Sequence, residues 1–216
     1  MKFLLENKVS REIDYKPKKV LKVEYPELIA APSVTQWLKD EKEDAFFRQA
    51  MRNPNSCIAK AVKAGKNAHR ALETGELKSE MDEAVVRCFN ENVLIDIDRV
   101  IGREETVVHP VGYNGKFDLM CHFRGQYTII DYKKTNARRS PSSLKKYYQQ
   151  LMAYRFAHNF LYPSHNITQV AIVNIYGKEP DKVSSNVTVL TETEMQDYES
   201  QFLLRVSSGQ CVGYNL

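Results

Sequence analysis

Residues 115–134, GKFDLMCHFRGQYTIIDYKK, constrain this chain more than any other stretch. Two runs rich in β-branched and aromatic residues, 117–123 and 127–132, flank Arg124-Gly125. A dipeptide ending in glycine between such runs suits a tight hairpin turn, so the stretch reads as two antiparallel strands. A turn centred there makes paired residues sum to about 249, and Asp118 and Asp131 meet that sum. Directly opposed Cβ atoms lie about 4.5–5.5 Å apart, so two carboxylates face each other across the ladder. Asp131 and Lys133 are two apart and share a strand face. Carboxylates that close repel unless a cation lies between them, which suits Mg²⁺, with Mn²⁺ as a substitute. Lys133 beside the cation would orient or help deprotonate a water, or neutralise charge on a phosphoryl group. Asp131 and Lys133 alone would read as a strand-end ion pair; Asp118 inside the facing apolar strand favours a site.

The rest of the chain supplies an α/β frame. Residues 1–30 mix Lys, Glu and Tyr, are interrupted by Pro17 and Pro26, and read as an N-terminal arm, either a β-arm or a loose lead-in. A helix start at 31–35 leads to Trp37, Leu38, Phe46 and Phe47 and stops at Pro54; further helices are expected at 56–74 and 78–92. Strands are expected at 107–112, 117–123 and 127–132, with turns at Asn114-Gly115 and Arg124-Gly125. Ser140-Pro141 opens a long helix to about 161, followed by strands at 168–176 and 187–190 and a closing helix at 192–206. Helices, three strands, helix, strand, helix gives an α/β sandwich around one mixed sheet, with residues 31–216 as a single domain.

With 43% hydrophobic residues in 216 and a formal charge of +4, the chain can bury a core and is not marked as a nucleic-acid binder by charge alone. Cys57, Cys88, Cys121 and Cys211 are too far apart for a zinc finger or CxxC site. The first residues are too short an apolar patch for a secretory leader and too acidic for a transit peptide. No apolar run is long enough to span a membrane. These features point to a reducing intracellular compartment, a bacterial or phage-infected cytoplasm before a mitochondrion.

Asp118, followed after a hairpin by Asp131-Tyr132-Lys133, resembles the D…(D/E)xK core of the PD-(D/E)XK nucleases. Phe117 stands where many members have proline, but Gly115-Lys116-Phe117-Asp118 matches the GxxD form of the RecB-like branch. Gln150-Leu151-Met152-Ala153-Tyr154 resembles its QxxxY helix, and Gly65 to His69 its upstream GxxxH helix. Asp131-Tyr132-Lys133-Lys134-Thr135 and Pro32-Ser33-Val34-Thr35 are similar to motifs of mitochondrial and phage exonucleases of that branch. The resemblance spans about 32–205 and implies a restriction-endonuclease-like α/β/α sandwich with extra N-terminal helices. It implies Asp118, Asp131 and Lys133 as catalytic, and Asp118, Asp131, the Tyr132 carbonyl, His69 and Glu105 as metal ligands. Gln150 and Tyr154, four apart on one helix face, become substrate contacts. Only Cys211 follows the core, so the iron–sulfur cluster of some relatives is not expected.

From Tyr132 to Lys178 there is no Asp or Glu. Lys134, Arg138, Arg139, Lys145 and Lys146 in that stretch adjoin the metal residues and are assigned to DNA backbone contact, with Tyr147 and Tyr148 as stacking faces. The expectation is a metal-dependent DNA exonuclease preferring single strands or free ends, in replication, recombination or degradation and alongside proteins of those processes. A structure-specific endonuclease on the same core, or a non-catalytic nucleic-acid-binding protein, are the alternatives.

Overall fold

A computed structural model describes residues 8–9 and 12–209. Eight α-helices are described: α1 (Lys18–Glu24), α2 (Pro26–Ala30), α3 (Val34–Trp37), α4 (Glu41–Met51), α5 (Cys57–Thr74), α6 (Glu80–Asn92), α7 (Pro141–Leu161) and α8 (Glu192–Ser207). Five strands, β1 (Ile97–His109), β2 (Tyr113–Phe123), β3 (Gln126–Thr135), β4 (Gln169–Tyr176) and β5 (Ser184–Val189), form one sheet in chain order. Only β3 and β4 pair in parallel, and α7 makes the crossover between them. Buried side chains of α7, α8 and α3 cover one sheet face, and those of α5 and α6 cover the other. The result is the expected α/β/α sandwich with a mixed sheet and additional N-terminal helices.

Local chemistry explains most boundaries. The Ser56 hydroxyl accepts from the Ala59 N–H at the start of α5, and Gly75 closes that helix in the left-handed region at φ 73°. Ser79 caps α6 in the same way through the Asp82 N–H. Pro141 occupies the first turn of α7, where its missing N–H costs nothing. The expected helix from 31 to 54 is two helices, because Ser33 forms a capping box with Gln36 for α3 and Asp40 caps α4 afresh. Residues 18–30 are helical and not a β-arm; Leu21 and Leu28 are buried there.

The hairpin at Arg124-Gly125 has the expected register, with Leu119 opposite Ile130 and Phe123 opposite Gln126. Both turn residues have positive φ, 52° and 74°, as a two-residue hairpin loop requires. The preceding turn is elsewhere than expected. Asn114-Gly115 lies inside β2, and the chain turns at 110–112, with Gly112 at φ 101°. Asn114 instead donates from Nδ2 to the carbonyls of Leu28, Ile29 and Ala31, closing the end of α2. The first strand is also longer than expected and begins at Ile97.

α4 differs from the other long helices. Asp44 is its one buried residue among those described, and Phe46, Phe47 and Met51 are exposed. It is held by ion pairs of Asp44 with Lys39 at 2.9 Å and Arg48 at 3.1 Å, and of Glu43 with Lys146 of α7. Ion pairs whose cation faces solvent, as all three do here, contribute about 0–1 kcal/mol each, against about 1.5–3 kcal/mol for one fully buried large apolar side chain. α7, which buries Leu151 and Met152 completely, is far more securely anchored.

Candidate active site

The site forms where β2 and β3 part. Their ladder runs from Phe123–Gln126 to Leu119–Ile130 and stops one rung short of Asp118 and Asp131. Beyond that rung β2 pairs only with β1, and β3 only with β4. The Asp118 carboxylate replaces the missing rung, accepting the Tyr132 N–H at 2.9 Å. Residues two apart normally share a face, yet Phe117 packs in the core beneath α7 and Leu119 in the core beneath α5 and α6. The alternation thus breaks at Asp118. Glu104 lies at the matching point of β1, between the pairs Arg103–Leu119 and Glu105–Phe117, and has φ 54°. A non-glycine residue in that region is uncommon and costs of order 1 kcal/mol or more, the kind of strain that collects at functional sites.

Three potential ligands meet in this gap. One ligand atom each from His69, Glu104 and Asp118 lies within 4.8 Å of the others. His69 reaches in from α5, with Nε2 at 2.8 Å from the Tyr132 carbonyl and Nδ1 at 3.7 Å from Asp118 Oδ2. Imidazole and carbonyl thus border the same gap, and a cation there would take a neutral ring nitrogen and the carbonyl oxygen in place of the hydrogen bond between them. Burial raises the Asp118 carboxyl to about 6, and the charge of Asp131 adds to the rise; His69, Lys133 and the Tyr132 N–H offset part of it. Such an under-compensated carboxylate cluster fits a divalent cation, and oxygens from Glu104, Asp118 and Tyr132 suit Mg²⁺ or Mn²⁺.

Glu104, not Glu105, belongs to this cluster. Glu105 lies near Tyr15 and Tyr162, and its carboxyl is raised by burial. Its aliphatic stem is 3.2 Å from where a Cβ on Gly102 would stand. With the turn at 110–112, paired residues of β1 and β2 sum to 222, which matches Glu104 to Asp118. Pro110 and Gly112 were the signal for that register, and the Asn114-Gly115 turn concealed it.

Asp131 also sits differently from the symmetric arrangement expected. Its buried carboxylate is bound by the Lys133 ammonium, at 2.8 Å from Oδ1 and 2.6 Å from Oδ2, and lies outside the three-residue cluster. Burial lowers the Lys133 pKa, but Asp131, Asp118 and the hydrogen bond to Asp131 together outweigh it and hold it above an ordinary lysine. Lys133 is thus held as a cation beside the two carboxylates at the edge of the cleft. Its Nζ lies 4.7 Å from the Tyr147 ring centre, and the Arg139 guanidinium 5.4 Å. Buried Asn174 ties these groups together, donating to the Lys133 carbonyl and accepting from the Arg139 N–H.

Gln150 and Tyr154 share one face of α7 as expected, and Gln150 donates to the Tyr154 hydroxyl at 2.6 Å. Burial pushes the Tyr154 hydroxyl well up, so it stays protonated. The Tyr154 ring lies against Gly115. A Cβ there would stand 2.3 Å from its Cε1, so the glycine of GxxD is the space that the tyrosine of QxxxY fills.

The basic residues divide. Lys146 is paired with Glu43, Arg138 donates to Asn186, and Lys134 donates to the carbonyls of Thr135 and Gly177. Lys145 is exposed. Tyr148 is buried against Tyr198 and offers no face to a base, whereas Tyr147 lines the cleft. The cleft beside the cluster holds about 470 Å³. Cys88 and Cys121 are buried free thiols, Cys57 is exposed, and Cys211 lies outside the described residues.

A family model described as the PD-(D/E)XK nuclease superfamily matches residues 23–205. The chain belongs to that superfamily. Its members are nucleases that typically use divalent metals. No curated protein matches the sequence. Similar solved structures include a candidate exonuclease from Eubacterium rectale, with 11% identity, TM-score 0.45 and coverage of 69% of this chain and 68% of that one. LHK-Exo from Laribacter hongkongensis in complex with dAMP has 13% identity, TM-score 0.42 and coverage of 85% and 91%. A phage-related exonuclease from Haemophilus somnus 129PT has 10% identity, TM-score 0.33 and coverage of 81% and 89%. Among the described residues no helix is long and apolar enough to cross a membrane.

Proposed function

We propose that this nuclease is a divalent-metal-dependent DNA exonuclease acting on single strands or free ends, with residues 31–216 as its catalytic domain and 1–30 as an N-terminal arm. The observation that carries the reading is the meeting of His69, Glu104 and Asp118 within 4.8 Å, beside the Lys133–Asp131 pair. A bound Mg²⁺ or Mn²⁺ would polarise the scissile phosphate and acidify an attacking water. Asp118, His69, Glu104 and the Tyr132 carbonyl would hold that cation, with Asp131 joining through its oxygens or acting through Lys133. Lys133 stabilises the charge that builds on the phosphoryl oxygens as water attacks phosphorus and the P–O bond breaks. Gln150 and Tyr154 would contact the substrate or the metal-bound carboxylates, and Arg138, Arg139, Lys134, Lys145 and Lys146 would flank the DNA path. Work on free ends in replication, recombination or degradation, in a reducing compartment, agrees with this chemistry and with the free buried thiols.

End-labelled linear and circular single-stranded DNA, incubated with Mg²⁺ or EDTA, tests the proposal. Linear strands are expected to be shortened from an end only with metal, and circles to stay intact. Cleavage of circles would replace the exonuclease with an endonuclease. Asp118→Asn is expected to bind DNA without cutting it, and cleavage at the wild-type rate by that variant would remove the site.

A further inference from the structure

α4 carries partly uncovered aromatic side chains: Phe46 is 64% and Phe47 42% exposed. Phe47 lines a cavity of about 350 Å³ between α4, α5 and the loop from β3 to α7, together with Val62, Ala64, Lys134, Arg139 and Tyr147. That cavity is continuous with the metal cleft, sharing Val62, Lys134, Thr135, Arg139 and Tyr147 with it. No carboxylate lines it. On the other side of Phe47 a second cavity mixes Asp40, Glu43 and Asp44 with Lys39, Lys146 and Gln150, so it lacks the purely basic charge of the first.

Arg139 supplies the second observation. Among the described residues its guanidinium makes no hydrogen bond or ion pair, and its Nε is shielded from solvent without an acceptor. Its backbone is fixed by Asn174 and its guanidinium lies over Tyr147, so an unsatisfied, pre-positioned donor faces a cavity with aromatic walls and a partly polar, carboxylate-free remainder. Aromatic walls and a free guanidinium match a base and its phosphate, and the cavity is large enough for one nucleotide.

We infer that this cavity is a subsite for one unpaired nucleotide of the DNA strand next to the scissile phosphate, its base on Phe47 and Tyr147 and its phosphate on Arg139. This rests on the nuclease reading above. It makes α4 a substrate wall whose exposed aromatics are covered only when a strand is bound, and it supplies a physical reason for preferring single strands.

The test is the affinity of the full chain, in EDTA so that nothing is cut, for an oligothymidylate too short to bind in more than one register. Phe47→Ala is expected to weaken binding about tenfold, the loss of one base–aromatic stack, and Phe47→Trp to keep it. Replacing each nucleotide in turn by an abasic one is expected to reproduce the loss at one position in the wild type. At that position the abasic change adds nothing in Phe47→Ala. Unchanged affinity of Phe47→Ala, or losses that add fully at every position, would overturn the subsite. Because Phe47 is exposed, the variant is expected to melt like the wild type, and a lowered melting temperature would itself show that Phe47 is packed structure and overturn the inference. The two readings fail separately. A protein that cuts DNA with Mg²⁺ but ignores Phe47 loses only the subsite, and one that binds through Phe47 but never cuts loses only the nuclease reading.

Discussion

Gly115→Ala tests the contact that joins the two sequence motifs of the site. The new Cβ would stand 2.3 Å from Tyr154 Cε1, 2.9 Å from Cδ1 and 3.3 Å from Val34 Cγ2. Non-bonded carbons rest at about 3.5–4.0 Å, so the ring edge must retreat by about 1.2 Å. Tyr154 is 4% exposed and Val34 fully buried, so neither can yield into solvent. Overpacking of this kind costs about 1–3 kcal/mol, while replacing a strand glycine by alanine returns about 0.5–1 kcal/mol, leaving a net loss of roughly 1–2 kcal/mol. For a domain of this size that is a fall of about 2–8 °C in melting temperature. The same shift carries the Tyr154 hydroxyl and its partner Gln150 away from the gap, and a misplacement of about 1 Å can cost on the order of 100-fold in rate. Urea unfolding and cleavage of labelled DNA measure both effects. Tyr154→Leu in the same chain relieves the clash, so the double variant is expected to be less destabilised than the sum of the two single ones. A Gly115→Ala protein that unfolds and cleaves like the wild type would refute the reasoning.

The remaining predictions concern charge. Glu104→Gln is expected to weaken Mn²⁺ binding and cleavage, whereas Glu105→Gln leaves metal affinity unchanged; calorimetric titration with Mn²⁺ separates them, and the reverse result would return the ligand to Glu105. Lys133→Ala is expected to lower turnover by about 10²–10³ at saturating metal with metal affinity largely kept, and full turnover would remove it from the chemistry. His158 is buried, within 3.0 Å of the Tyr15 hydroxyl, and burial depresses its pKa to about 4. Its neutral form is favoured in the folded state, so its contribution is complete above about pH 6.5 and is lost as pH falls from there toward 4, by roughly 2–3 kcal/mol at pH 4.5. His158→Gln is expected to flatten the fall in urea midpoint over that window, and an unchanged slope would show that His158 does not titrate there.

Much of the frame was legible because it depends on neighbours in the chain. The Arg124-Gly125 turn sets the register of β2 on β3 through two residues whose conformation the strand twist demands. Ser56, Ser79, Gly75 and Pro141 mark helix ends through bonds or φ values of their own residues. Gln150 and Tyr154 share a face of α7 because they are four apart. The resemblance of the four motifs to one superfamily is a property of the chain itself, and the family match extends over the same span.

Tertiary structure decided how the site is wired. The ladder ends one rung before Asp118 and Asp131, so the carboxylates part, one to the Tyr132 N–H and His69, the other to Lys133. Strand periodicity alone continues the ladder; only packing against β1 on one side and β4 on the other pulls it open. Which glutamate enters the gap depends on the register of β1, set by a turn at 110–112, and on the left-handed φ at Glu104. The acid-free run after Tyr132 finds its partners far away, Lys146 on Glu43 and Arg155 on Glu199, since ion pairing follows distance in space. Tyr147 and Tyr148 are adjacent and chemically alike, yet α7 turns one toward the cleft and buries the other, because successive helical residues stand about 100° apart around the axis and only one can face the gap.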